Sequence, residues 1–133
     1  MKMRIKKKFT LFAILIAIIL IGVLILYISM NKFASSYLTF PYESLDLSKV
    51  EDGVYQGSED GKLVKATVEV TIKDHKITNI VILSHDCGLG KPAEAIVKNI
   101  IEKNSLEVDT VSGATHSSNV IRTAVYNALT QLP

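Results

Sequence analysis

Residues Phe9–Ile28, "FTLFAILIAIILIGVLILYI", form an almost unbroken apolar run in which Thr10 is the polar side chain and no residue is charged. These 20 residues, at about 1.5 Å rise each, span roughly 30 Å, the thickness of a hydrocarbon core. A single transmembrane helix over residues 9–29 is the expected outcome. A cleaved signal peptide has a shorter apolar region ending at small residues. "YISMNKFASS" offers only Ala34 and Ser35 for that purpose, and the single cysteine, Cys87, lies too far along for a lipid attachment signal. The run reads as an uncleaved anchor.

Charge sets its direction. Lys2, Arg4, Lys6, Lys7 and Lys8 precede the run, and Lys32 alone follows closely. The positive-inside rule makes residues 1–8 a cytoplasmic basic tail and sends everything from about Asn31 onward out of the cytoplasm. That outer part carries ten Lys/Arg against all thirteen Asp/Glu, a net charge of −3. The basic balance of the chain thus belongs to its tail, which argues against a reader of nucleic acid. One cysteine excludes an internal disulfide framework.

Residues 30–49 read as a connector with Phe33, Tyr37, Phe40 and Tyr42, aromatic enough to sit at a membrane interface or to pack on a domain. It lacks the composition of a flexible Gly/Ser linker. A folded unit is expected over residues 50–133. Its first piece is a short strand over 53–57, closed by the turn "SEDG". From Leu63 to Lys73 the alternation is strict, with Val64, Ala66, Val68, Val70 and Ile72 on one face and Lys65, Thr67, Glu69, Thr71 and Lys73 on the other. That is an antiparallel strand with one buried face. "KDHK" predicts a tight turn, and residues 77–84, more apolar, predict a central return strand.

After the loop "HDCGLGK", Pro92 suits a helix first turn. Ala93, Ile96, Val97, Ile100 and Ile101 make one amphipathic stripe, ending near Lys103 and Asn104. "SLEVDTVSGA" reads as extended, with Val108 and Val111 as its apolar contacts. A last helix is expected over 118–131, with Val120, Ile121, Ala124, Val125, Ala128 and Leu129 as its stripe. The fold class is therefore α+β: a small antiparallel sheet packed against two amphipathic helices, preceded by one transmembrane helix.

The segment Asp109–Ser118, "DTVSGATHSS", concentrates the chemistry. Ser117 or Ser118 is a natural N-cap for the last helix. Free N–H groups at that end make an anion site, worth about 0.3–2 kcal/mol for a phosphate. Gly113 permits a tight turn and a close backbone approach. Thr115 then sits one or two residues before that cap, its hydroxyl near where a phosphate would be held, to hydrogen-bond it or to be esterified by it. Asp109 is a nearby carboxylate, able to hold a metal or to orient the hydroxyl. The bland alternative is a Ser/Thr-rich turn that only caps a helix, and spacing alone does not separate these roles.

Asp109-x-x-Ser112-Gly113-Ala114-Thr115, followed by Ser117-Ser118-Asn119, resembles the flavinylation motif of FMN-binding domains. These include the flavin-carrying subunits of the Rnf complex and the sodium-pumping NADH:quinone oxidoreductase, and many small extracytoplasmic flavoproteins. "DGVYQG", the strand pair "VEVTIKDHKITNIVIL", the Gly88-Leu89-Gly90 loop and the helix before the motif stand in the family's order. The resemblance covers about residues 50–131.

It implies FMN carried on Thr115 through a phosphoester, with Asp109, Ser112, Gly113 and Ala114 completing the recognition signal. It further implies Ser117 and Ser118 at the site, and Gly88, Leu89 and Gly90 beside the isoalloxazine ring. A separate flavin transferase, using FAD and magnesium, would make the bond. Two departures stand out. "HDCGLG" replaces a Thr-Pro pair common before the Gly-x-Gly, and His116 and Ser117 replace a commonly apolar residue and a threonine. Tethering makes physical sense for an open site, because it replaces an equilibrium with a high effective concentration.

The remaining residues carry little. Cys87 with His85, Asp86 and His116 lacks the spacing of a zinc site, so no metal is expected. "GLGKP" is not a Walker loop. His75 in its turn reads as solvated, Leu89 as ring contact or core filler, and Tyr55 as core or rim. Nothing pairs as a serine–histidine–carboxylate hydrolase. The resulting expectation is a membrane-anchored extracytoplasmic flavoprotein electron carrier, working between a membrane redox donor and an outside acceptor. The rivals are a non-covalent flavin-binding or sensor module, and a structural anchored domain without cofactor.

Overall fold

The computed structural model describes residues 2–38 and 40–130, apart from the side chains of residues 2–7, 33, 34 and 38. Gln131, the expected end of the last helix, lies outside them, as do the side chains of Lys2, Arg4, Lys6, Lys7 and Phe33. The chain forms two compact units, Met1–Phe40 and Pro41–Pro133.

The first unit is one helix, α1 (Lys2–Leu38), of 37 residues. It is long and apolar enough to cross a membrane. From Phe9 to Met30 its side chains are bare on every side, with Phe9 75%, Ile18 60% and Ile25 60% exposed. Apolar all round is the pattern of a helix solvated by lipid. The helix continues past residue 29, where the expected membrane span ends, to Leu38. No Gly or Pro stands between Ser29 and Pro41, and Ser35 Oγ satisfies itself on Lys32 O at 2.8 Å, so the helix propagates through the start of the connector.

The second unit opens with two single 3-10 turns, Tyr42–Ser44 and Leu47–Lys49; the latter is capped by Asp46 Oδ1, which accepts from Ser48 N–H. Of the connector's aromatics, Tyr42 is buried on the domain. Its hydroxyl shares a 2.7 Å hydrogen bond with Thr123 Oγ1, and its ring stands edge-on to Tyr126 at 6.2 Å.

Three antiparallel strands follow, β1 (Gly53–Asp60), β2 (Lys65–Lys73) and β3 (Lys76–Asp86), in spatial order β1-β2-β3. β1 is longer than expected: "SED" pairs with β2 through Asp60↔Lys65, and the turn lies at residues 61–64. The alternation of β2 holds, for Val64, Ala66, Val68, Val70 and Ile72 are all buried. The centre of the sheet is β2 and not β3. β3 is an edge strand whose apolar density is misleading, since Val81 is 41% and Leu83 49% exposed.

Two register shifts, opposite Thr67/Val68 and Thr71/Ile72, explain this. Each bulge inserts one residue and reverses the in–out parity. Ile77 and Ile80 thereby share the inner face, and His85 is turned inward. Asp74 and His75 both take positive φ, 52° and 57°, the backbone of a two-residue hairpin matched to strand twist. His75 is held rather than simply solvated, with Nδ1 2.9 Å from Val50 O.

The chain then runs through a 3-10 turn (Lys91–Ala95) into α2 (Ile96–Lys103), and an extended arm leads to α3 (Thr115–Thr130). Asn104 ends α2 in the left-handed conformation, and its Oδ1 accepts from Ile77 N–H at 2.8 Å. In the arm Val108 is buried as expected. Val111 is only half-buried, and Leu106 fills the core instead.

α3 lies across β1 and β2 and α2 beside it against β3, so both helices cover one face of the sheet. The two layers meet at Gly57, where an added Cβ would run into the backbone of Ala124 and Ala128. Only glycine lets the helix rest directly on β1.

Candidate functional site

The turn before α3 is built by Val111–Ala114. Ala114 N–H closes it on Val111 O at 3.0 Å, and Gly113 sits at φ +77°. The first helical bond runs from Ser118 N–H to Ala114 O at 2.9 Å. Thr115 is therefore the first residue of the helix, exposed to solvent, and not a residue ahead of the cap. The expected cap by Ser117 or Ser118 is wrong. Both lie inside the first turn and are buried, at 3% and 0% exposure. Ser118 Oγ is committed across the turn, accepting from Val111 N–H at 3.0 Å, a bond available only from within the helix.

This arrangement puts the N–H groups of Thr115 and Ser117 in the first turn of the helix, ahead of its regular i−4 bonds. An anion next to the Thr115 hydroxyl gains from them and from the helix dipole.

Two loops close on this end of α3. The first is the β1–β2 turn: Gly61 O lies 3.2 Å from His116 Nε2, and a Cβ on Gly61 would come within 2.6 Å of Val120 Cγ2. The second is residues 87–90. Gly90 N–H donates to Cys87 O at 2.7 Å, Gly88 takes φ +51°, and a Cβ on Gly90 would overlap the Ser117 side chain.

The structure thus brings Gly90 and Ser117 together beside Thr115, Gly113 and Ala114. Leu89 at the tip of this loop is 98% exposed; it is not core filler. Ser112 is exposed on the turn. Asp109 faces a groove of about 230 Å³ that it shares with Asn99, Glu102, Lys103 and Val108.

One residue of this neighbourhood escaped the sequence reading. His85 has a side chain only 1% exposed, with Nδ1 3.1 Å from Glu94 Oε1, and its Nε2 is buried without a partner. The bulge at Leu83 put it inside, and nothing in the local alternation announces a bulge. Glu94 also takes a 2.7 Å hydrogen bond from Lys91 Nζ. That bond, helped by His85, holds the Glu94 carboxyl below the usual glutamate range, against some desolvation. Lys91 is raised in return. Cys87 is half-buried. No group of three or more His, Cys, Asp or Glu stands close enough to hold a metal among the described residues.

The residues fit a phosphate-linked ligand. There is an exposed hydroxyl at a helix start, and Gly113 and Gly90 stand on the turn and the loop beside it.

A protein of Treponema pallidum (strain Nichols), described only as uncharacterized, is 32% identical over 87 residues, which make up 63% of this chain and 24% of that protein. The chain thus spans about a quarter of the relative it matches. The family model for the FMN-binding domain matches residues 61–130, more than half of the chain, from the β1–β2 turn to the end of α3. The chain belongs to the FMN-binding domain family.

Proposed function

We propose that this flavin-binding protein is a membrane-anchored electron carrier with FMN esterified to Thr115. The observation that carries the reading is the place of Thr115: exposed, first in α3, on a turn locked by Ser118, inside the segment that matches the family. The residues have separable tasks. Thr115 supplies the hydroxyl oxygen. The N–H groups of Thr115 and Ser117 at the start of α3 would bind the phosphate oxygens. Gly113 and Gly90 keep side chains out of the way, and Leu89 covers the ring. The residues forming the bond balance as follows: Thr115 Oγ bonds to the FMN phosphorus of FAD, the bond from that phosphorus to AMP breaks, AMP leaves, and the hydroxyl proton passes to solvent. A flavin transferase with magnesium performs this step. Bound flavin supplies one- and two-electron chemistry, and the protein tethers and orients it.

In this reading α1 crosses the membrane once, with residues 1–8 cytoplasmic and the domain outside, between a membrane redox donor and an extracytoplasmic acceptor. The apolar run Phe9–Ile28 of α1 and the basic residues that precede that run support the topology.

The test is in-gel flavin fluorescence after SDS denaturation of chain co-expressed with a flavin transferase. A fluorescent band that vanishes in Thr115→Ala, with a mass gain of one FMN less one water, is expected. A dark band beside a fluorescent family member refutes the covalent link. Retained flavin in native Thr115→Ala protein would then identify a non-covalent binding module.

A further inference from the structure

Two hydrogen bonds from α3 hold the arm that carries the motif. Arg122 Nη1 donates to Val108 O at 3.0 Å, and Ser118 Oγ accepts from Val111 N–H at 3.0 Å. Together they bracket Asp109 and Thr110 and fix both ends of that short stretch to the helix that begins at Thr115.

Arg122 is itself firmly set. Nη2 donates to Asn119 Oδ1 at 2.7 Å, and the guanidinium carbon lies 4.1 Å from the centroid of the Tyr42 ring. Its Nε is buried and unpartnered, and no carboxylate among the described residues pairs with it. Its charge is spent on a carbonyl, an amide and a ring face. An apolar side chain would fill this place without the desolvation cost of a cation. What the arginine alone provides is a rigid donor fork that reaches two acceptors at once.

We infer that Arg122 is a positioning residue for the modification of Thr115, acting through Asp109. It holds the Val108 carbonyl, so that Asp109 stands at a constant place relative to the Thr115 hydroxyl when the flavin transferase engages the motif. This rests on the reading of Thr115 as the attachment residue. The step served is the one balanced above: the Thr115 Oγ–phosphorus bond forms, the bond to AMP breaks, and the hydroxyl proton goes to solvent. Phosphoryl transfer depends on placement, and a displacement of about 1 Å costs up to roughly a hundredfold in rate.

The test measures initial rates of flavin incorporation into the full chain in detergent micelles, with flavin transferase, FAD and magnesium. Arg122→Met is expected to lower kcat roughly tenfold while KM for the chain changes less than about twofold. Arg122→Lys, which keeps a charged donor for Val108 O, should recover part of the rate. In an Asp109→Asn background the Arg122→Met change should cost little more, since both remove the same contribution.

Asn127→Ala, which cuts the α3 bonds to Ser58 and Glu59, reports destabilisation alone and should keep the rate. Should Arg122→Met fail to fold, Arg122→Gln, whose amide reaches one acceptor instead of two, takes its place. A wild-type rate in these Arg122 variants, or the same fractional loss with and without the Asp109 carboxylate, overturns the positioning role. A folded wild-type chain that accepts no flavin overturns the attachment reading instead, so the two failures are distinct.

Discussion

Gly57→Ala tests whether α3 rests on the backbone of β1. The added methyl would stand 2.7 Å from Ala128 Cα and closer still to Ala124 O and Ala128 N, where carbon atoms prefer about 3.5–4.0 Å. These neighbours are backbone atoms of an internal helix turn, so no rotamer change relieves the overlap. The helix must lift by about 1 Å along a contact that includes Val120, Ala124 and Ala128, all at most 2% exposed. Overpacking of this kind costs about 1–3 kcal/mol, and a backbone collision belongs near the upper end. Loss of glycine's freedom in the unfolded chain returns about 0.5–1 kcal/mol. The net destabilisation is about 2 kcal/mol. In a unit of this size each kcal/mol moves Tm by about 4–8 °C, so a fall of roughly 8–16 °C is expected. Far-UV circular dichroism on the full chain in micelles would follow it, fitted to the transition of the sheet unit, because α1 adds a helical signal of its own. A Tm within about 2 °C of wild type would refute the direct contact between α3 and β1.

Ser118→Ala strands the Val111 N–H inside the turn, for Ser118 is fully buried. A loss of about 1–3 kcal/mol is expected by thermal melting, together with slower flavin incorporation; unchanged stability would mean the turn does not depend on that bond. Leu89→Ser should leave the melting of flavin-free protein unaltered, because a side chain 98% exposed contributes no burial, yet shift the flavin absorption bands of loaded protein. Identical flavin spectra would remove Leu89 from the site. The Glu94 carboxyl, held low first by Lys91 and also by His85, contributes stability that is present above the ordinary glutamate pKa and is lost as pH falls through the lowered one. Glu94→Gln should therefore flatten the fall of Tm between about pH 5 and 3. Some slope remains, because Asp46, Asp52 and Asp60 are also held low, chiefly by hydrogen bonds from Ser48, Asp74 and Lys65 respectively. Equal slopes in the two proteins would discount the Lys91–Glu94–His85 cluster.

Properties carried by composition and by short periodic patterns were legible from the residues alone. A run of apolar side chains without charge specifies a helix long and apolar enough to cross a membrane. The strict alternation of β2, the Asp74-His75 turn and the stop at Asn104 each follow from local backbone preferences. The order of elements and the motif around Thr115 belong to the same class. Tertiary structure decided what depends on partners distant in the chain. β3 became an edge strand because the sheet runs β1-β2-β3, and two bulges turned His85 inward, because parity is set by pairing with β2 and not by β3 itself. Ser117 and Ser118 went inside the helix instead of capping it, since Gly90 packs on one and Val111 N–H binds the other. Arg122 has its role only because folding placed Tyr42, Val108 and Asn119 around it. A local pattern reports which face a residue presents, but only the packed neighbours determine what that face meets.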